Sequence, residues 1–230
     1  MSTRKRKFIP QYLSETIKKI KYRKKSENLL KFIETRRSVR KFKDKPVPKE
    51  DILRIIKAAS MAPSGSNQQN WYFIVVTDRL IKEKLHMAVD EAVKDLLSRV
   101  DSKIARDKIV AYSKYFTFFW KAPVLICAIE KPHDSLIHRL LLKHDHSSEV
   151  KSMSGIQNVA ASIENMLLAA HALGYGTCWM TGPLIARKRF MEILHISHED
   201  NLAALIPMGV PDIKPAAPPR KPIDEIIKFV

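Results

Sequence analysis

Glu164-Asn-Met-Leu-Leu-Ala-Ala-His-Ala-Leu-Gly-Tyr-Gly-Thr-Cys-Trp179 changes its hydrophobic period partway along. Met166, Leu167, Ala170 and Leu173 recur at helical spacing, and Val159 and Ile163 extend the same pattern upstream. Ser154 and Gln157, at capping-box spacing, mark the predicted start of this helix. Apolar or small residues on more than one face predict burial, against a sheet and a second subunit. Gly174 ends the helix, Tyr175 to Met180 reads as a buried strand, and Thr181-Gly-Pro183 makes a turn. The glycines therefore follow a helix instead of opening one, and position 179 is Trp, so a dinucleotide fingerprint is excluded. The sequence also lacks a phosphate-cradling Gly-Lys-Ser/Thr loop and a Gly-x-Ser-x-Gly nucleophile elbow.

On either side lie three more apolar runs of strand length: Trp71 to Thr77, Ala122 to Ile129 and Leu202 to Val210. Continuous rather than alternating hydrophobicity predicts strands covered on both faces. Helices are predicted between them. Ser26 caps one running through Leu29, Leu30 and Ile33, and a second starts near Pro48 with the stripe Ile52, Ile55, Ile56 and Ala59. Asp78 caps a helical region spanning about Ile81 to Phe119, with a break near Val100 to Ser102. A further helix covers about Ala186 to Leu194. Tyr115-Phe-Thr-Phe-Phe-Trp120 gathers five aromatics, read as core or as a hydrophobic wall. Pro211 to Pro222 is a proline-rich extended arm carrying Arg220 and Lys221, and Ile223 to Val230 is apolar enough to pack where the arm arrives.

Of 230 residues, 45% are hydrophobic, enough for one large domain. The net charge of +17 is uneven: residues 1–25 hold ten Lys or Arg against Glu15 alone. That segment reads as a basic extension, residues 1–25, ahead of a domain at 26–230, and weak polyanion binding is its expected partnership. Leu13, Ile17 and Ile20 would give it a short amphipathic helix. No apolar run of membrane-spanning length and no secretory signal is present, and Cys127 and Cys178 both sit in apolar stretches. Buried thiols and a cytoplasmic location are the simplest reading. Glu130 to Lys151 is irregular and contains His133, His138, His144 and His146 without zinc-type spacing or a cysteine partner, so a flap is predicted there and no metal site.

Two polar stretches hold the candidate chemistry. Arg36-Arg-Ser-Val-Arg40 offers three guanidinium groups and a hydroxyl, donors suited to phosphate and to planar acceptor edges, although a basic run by itself reads as solvated surface. Ala62-Pro-Ser-Gly-Ser-Asn-Gln-Gln-Asn70 places amides and hydroxyls at the mouth of the strand beginning at Trp71.

These two stretches, with Glu164 to Trp179 and Pro207-Met-Gly-Val-Pro211, resemble the nitroreductase family of FMN enzymes in the family's order, over about Ser26 to Val230. The resemblance implies an α+β fold, a mostly antiparallel sheet wrapped by helices, in an intertwined homodimer with FMN at the subunit interface. It implies that Arg36 and Ser38 bind the phosphate and ribityl chain, that Arg220 completes the phosphate site and that Arg40 faces the pyrimidine edge, with Arg37 a further cofactor-binding candidate that is also readable as solvated. Asn67 and Gln69 would bind beside the ring, with Ser64 a further cofactor-binding candidate in their loop, and Thr181 and Gly182 would lie near the flavin's N5. The activity implied is ping-pong hydride transfer from NADH or NADPH to a nitroaromatic, a quinone or a similar conjugated acceptor. The alternatives are a branch with a dedicated substrate, by flavin destruction or reductive dehalogenation, and a non-catalytic flavin-storing or polyanion-tethered protein. The chain departs from the family's pattern at Asn70, where Pro is usual; an amide there adds a backbone N–H and a further amide beside the flavin edge.

Overall fold

The computed structural model describes residues 26–132, 140, 143 and 153–230. The basic extension and the four histidines of the predicted flap lie outside the described residues. The chain divides into two compact units, Met1–Arg36 and Arg37–Val230. In the first, residues 26–35 form α1, on which Leu29, Leu30 and Ile33 are all exposed.

The second unit is built on four strands: β1 Trp71–Val76, β2 Val124–Glu130, β3 Gly176–Thr177 and β4 Asn201–Gly209. They pair in the order β1-β2-β4-β3, antiparallel throughout. β2 explains why the sheet is covered twice. Val124, Ile126 and Ala128 face one apolar cluster, and Leu125, Cys127 and Ile129 face the other. The first cluster takes in α2 (Lys49–Ala59) and α5 (Ser154–Ala172); the second takes in α3 (Arg79–Ser98) and α6 (Arg187–Ile193). Both thiols are buried, and burial pushes that of Cys127 up to about 12. Among the described residues no helix is long and apolar enough to cross a membrane.

Two predicted elements differ in extent, each for a physical reason, and a third differs in its cap. The region expected to be helical up to Phe119 ends its α-helices at α3 and α4 (Lys103–Ser113), and Phe118–Lys121 is a 3-10 turn. Pro123 holds Ala122 extended, at ψ 143°, and the buried Lys82 donates to the carbonyls of Ala122 (2.6 Å) and Pro123 (3.1 Å), so the chain is turned toward β2 early. The strand expected over 175–180 is a ladder only at Gly176–Thr177, resuming as a bridge between Met180 and Leu205. Opposite Cys178 stands Pro207, whose carbonyl accepts from the Cys178 N–H at 3.3 Å but which has no N–H to return. Finally, α5 begins without the capping box: Met153 takes the cap position, with no side-chain bond.

Candidate functional site

Ser38 to Lys43 is laid along the sheet by backbone bonds. The Val39 N–H donates to the Thr177 carbonyl (2.9 Å), the Lys43 N–H to Val210 (2.9 Å), and the Asp212 N–H to Lys41 (3.0 Å). With Ser38 bridged to Thr177 and Phe42 to Pro211, the alternation of the extended chain buries Val39 and turns Arg40 outward. Gly176 permits this contact, since a Cβ there would stand 2.6 Å from a Val39 methyl.

Arg40 lines a cavity of about 350 Å³ with Thr181, Gly182, Cys178 and Met180 on one side and Tyr112, Tyr115 and Phe116 on another. That volume lies in the range of small-ligand sites. Arg40 has no ion-pair partner among the described residues, so its guanidinium stays available to an anion or a planar acceptor edge. Phe116 presses on the turn at Gly182, where a Cβ would meet its ring at 2.7 Å. Tyr112 is in edge contact with Phe116, ring centroids 5.5 Å apart, and lies 6.4 Å from the Tyr115 ring. The wall expected from the aromatic run is thus divided: Phe116 faces the cavity, while Phe119 is fully buried in the core. Sequence reasoning missed Tyr112, which is one helical turn before Phe116 and could have been found by extending the aromatic period backward. It also missed Lys82, whose ammonium is lowered in pKa by burial; nothing in the pattern of α3 singles it out from the other lysines.

The amide loop is held differently. The Gln69 N–H donates to Ser64 Oγ (3.0 Å), and Gln69 Nε2 donates to the Asn67 carbonyl (3.3 Å) and to Asn67 Oδ1 (3.2 Å). Ser66, Asn67 and Gln69 have φ of 53°, 54° and 48°, a left-handed conformation that favours glycine. Asn67 and Gln69 are exposed, with polar groups at the surface before β1. Asn70 points the other way. Its amide is buried and bonded to Asn158 (2.8 Å), so it tethers the loop instead of adding an amide to the exposed edge.

Of the sequence candidates, the structure gathers Arg40, Thr181 and Gly182 in one cavity and places Ser38 on the same sheet edge. Ser64, Asn67 and Gln69 form their own cluster and do not line that cavity. Arg37 is half-buried beside Ser38. Arg220 is exposed on the carboxy-terminal arm without an ion-pair partner among the described residues. Arg36 follows α1 in the first unit, its N–H donating to the Ile33 carbonyl at 3.4 Å.

In the cavity, a free cation, an aromatic wall and a turn kept bare of side chain at Gly182 suit a flat molecule with a negative or acceptor edge, and the exposed amides stand apart in their own cluster. Residues 33–210 match the description of the nitroreductase family. The chain belongs to that family. A provisionally named NADH dehydrogenase/NAD(P)H nitroreductase of Archaeoglobus fulgidus is 32% identical over 192 residues, 80% of this chain and 86% of that protein. Iodotyrosine deiodinase 1 of Sus scrofa is 27% identical over 211 residues, 90% of this chain and 70% of that protein. Among solved structures, a BluB-like flavoprotein from Clostridium difficile 630 superposes with a TM-score of 0.79 at 35% identity, covering 88% of this chain and 98% of that one. An iodotyrosine deiodinase bound to FMN and 3-iodo-L-tyrosine shares the fold at a TM-score of 0.68 and 24% identity, covering 88% and 98% of the two chains. The α+β nitroreductase fold, with its antiparallel sheet between helices, is thereby established for this chain.

Proposed function

We propose that this nitroreductase-family protein binds FMN and uses it to oxidise NADH or NADPH and reduce a nitroaromatic, a quinone or a similar conjugated acceptor. The observation that carries the reading is Arg40, unpaired among the described residues and lining one cavity with Thr181 and Gly182. Bound FMN supplies hydride acceptance and hydride donation in two successive half-reactions, chemistry no side chain here can perform.

The chain's own residues bind, orient and shield. The Arg40 guanidinium donates to a carbonyl edge and offsets negative charge that builds up there. The sequence motif assigns Arg36 and Ser38 to the phosphate and ribityl chain, Arg220 completes the phosphate site, and Arg37 stands beside Ser38 as a further candidate. Ser64, Asn67 and Gln69 donate to and accept from the ring's polar edge, and Thr181 and Gly182 border its reactive centre. Tyr112, Tyr115 and Phe116 offer aromatic faces and edges on which a flat acceptor stacks and from which water is displaced. A homodimer completes the site in this proposal. Ile223, Ile226, Ile227 and Phe229 remain exposed on the arm, a run of apolar surface that a second copy would cover. Residues 26–230 form the FMN-binding domain, and residues 1–25 are a cationic tether for polyanions, in a protein of the cytoplasm.

Similarity to iodotyrosine deiodinases favours a second reading, in which the acceptor is one dedicated halogenated aromatic. The test is spectroscopic. Purified protein reconstituted with FMN is expected to bleach with NADH or NADPH and to regain colour on adding a quinone. If neither nicotinamide bleaches it but dithionite followed by a halophenol completes a cycle, the dedicated reading replaces the first. Tight FMN binding with no turnover in either assay leaves a storage protein.

A further inference from the structure

The geometry points to Asn158, on α5, as a positioning residue for the flavin-edge loop Ser64–Gln69, acting through a buried amide relay that ends on Asn70. The inference rests on the flavin reading above for its consequence, though not for its geometry.

The loop is costly to hold in shape. Ser66, Asn67 and Gln69 are left-handed and none is glycine, so something must over-determine the conformation. The bonds from Asn67 and Gln69 to Ser64, and from Gln69 to Asn67, all begin and end within the loop. They fix its shape and would move with it. What fixes its place on the body is a pair of side-chain amides. Asn158 Oδ1 accepts from the Gly65 N–H at 3.3 Å, and Asn158 Nδ2 donates to Asn70 Oδ1 at 2.8 Å. One amide therefore grips the loop near its start and at its exit. Asn70 passes the grip on to the sheet: its carbonyl accepts from the Lys131 N–H at 2.8 Å, and its Nδ2 approaches the Lys131 carbonyl at 3.5 Å.

Both amides are buried, Asn158 at 7% and Asn70 at 5% exposure, so water does not compete for these bonds. Gly155, one helical turn before Asn158, lets α5 come close enough. A Cβ there would lie 3.1 Å from Asn70 Nδ2 and 2.1 Å from Glu130 Oε1, and Glu130 is itself held by Asn201 Nδ2 at 2.8 Å. Loop, helix and sheet edge are thus joined through polar groups in an otherwise apolar layer. Asn70 stands where the family usually has Pro, so in this chain the relay sets the loop exit that a fixed ring would otherwise set.

The relay can be separated from packing by chemistry. Asn158→Leu keeps the bulk and loses both bonds. Asn158→Asp keeps the acceptor for Gly65 but replaces the donor to Asn70 with a second oxygen, and turning the Asn70 amide to meet it would set Oδ1 against the Lys131 carbonyl, so this variant separates the two bonds. Three quantities decide: the FMN dissociation constant of the apoprotein, its thermal midpoint, and hydrogen exchange at the Gly65 and Gln69 amides. N158L is expected to weaken FMN binding about tenfold and to speed exchange at both amides to a similar degree, while N158D keeps Gly65 exchange within about twofold of wild type and loses part of the affinity. Wild-type FMN affinity and exchange in N158L would overturn the proposal, as would equal speeding of Gly65 exchange in the two variants or a lowered thermal midpoint with affinity and exchange intact. Should the wild type itself fail to bind FMN, the flavin reading falls, and the exchange rates alone decide the relay.

Discussion

The basic segment Ser38–Lys43 and the amide loop Ser64–Gln69 both present polar side chains, yet they are held in opposite ways. The first is fixed by backbone bonds to Thr177, Val210 and Asp212, which leaves Arg40 uncommitted. The second spends side chains on its own support: Ser64 on Gln69, Gln69 on Asn67, with Asn158 and Asn70 beneath. A side-chain substitution in the basic segment should therefore change binding with little effect on shape. In the amide loop, the two should change together.

The strongest way to break this contrast is to attack the backbone contact on the basic side. Gly176→Ala puts a Cβ within 2.6 to 2.8 Å of three Val39 carbons. It is expected to cost about 2 kcal/mol in urea unfolding, as overpacking does, and to lower FMN affinity as Ser38–Lys43 is pushed off the sheet. Unchanged stability would mean that this edge is softer than its bonds suggest.

Arg40→Ala tests the other half of the claim. Loss of a charge-assisted bond should weaken FMN binding by about 2 kcal/mol, roughly thirtyfold, with an unfolding midpoint indistinguishable from wild type. Wild-type affinity would remove Arg40 from the site, and a large fall in stability would erase the contrast. Ser64→Ala removes the acceptor for the Gln69 N–H; about 1 kcal/mol of stability should go, and FMN affinity should fall in the same variant. A change in only one of the two would break the rule for the loop.

The smallest effect concerns pH. Burial, and then the bond to Asp51 at 2.7 Å, pushes the Tyr175 phenol up to about 12, and burial with the Asp200 bond does the same to Tyr72. Both folded values exceed that of the unfolded chain, near 10, so the neutral phenols favour the folded state. Their contribution is fully present below pH 10 and is lost as pH rises toward 12. Ultraviolet titration should show two tyrosines that ionise only above pH 11, or with unfolding. Tyr175→Phe should flatten the alkaline fall in stability, and two ordinary phenols instead would show that neither bond survives in solution.

Much of the architecture was legible because apolar periodicity is local. Continuous hydrophobicity at Ala122–Ile129 announced a strand covered on both faces, the stripe of α2 landed in the core, and Asp78 caps α3 as its position suggested, accepting from the Ile81 N–H at 2.9 Å. The misjudged extents have non-local causes: Pro207 on another strand shortens β3, and Lys82, some forty residues away, shapes the entry to β2. Of the site, the order of motifs was legible, and with it the set Arg40, Thr181 and Gly182 that lines one cavity. Tyr112 lies outside the aromatic run at 115–120; its spacing to Phe116 is local, and what only the fold decides is that both face the cavity.

By itself, the sequence determined the four strands, the helices between them, the segregation of charge and the set of motifs that place the chain in its family. These follow from chain-local chemistry: side-chain period, capping and proline. Tertiary structure alone decided which arginine stays unpaired beside a bare glycine turn, and that Asn70 faces inward. Both depend on what stands opposite, Thr177 against Val39 in one case and Asn158 against Asn70 in the other, and partners so distant in sequence leave no mark on local pattern.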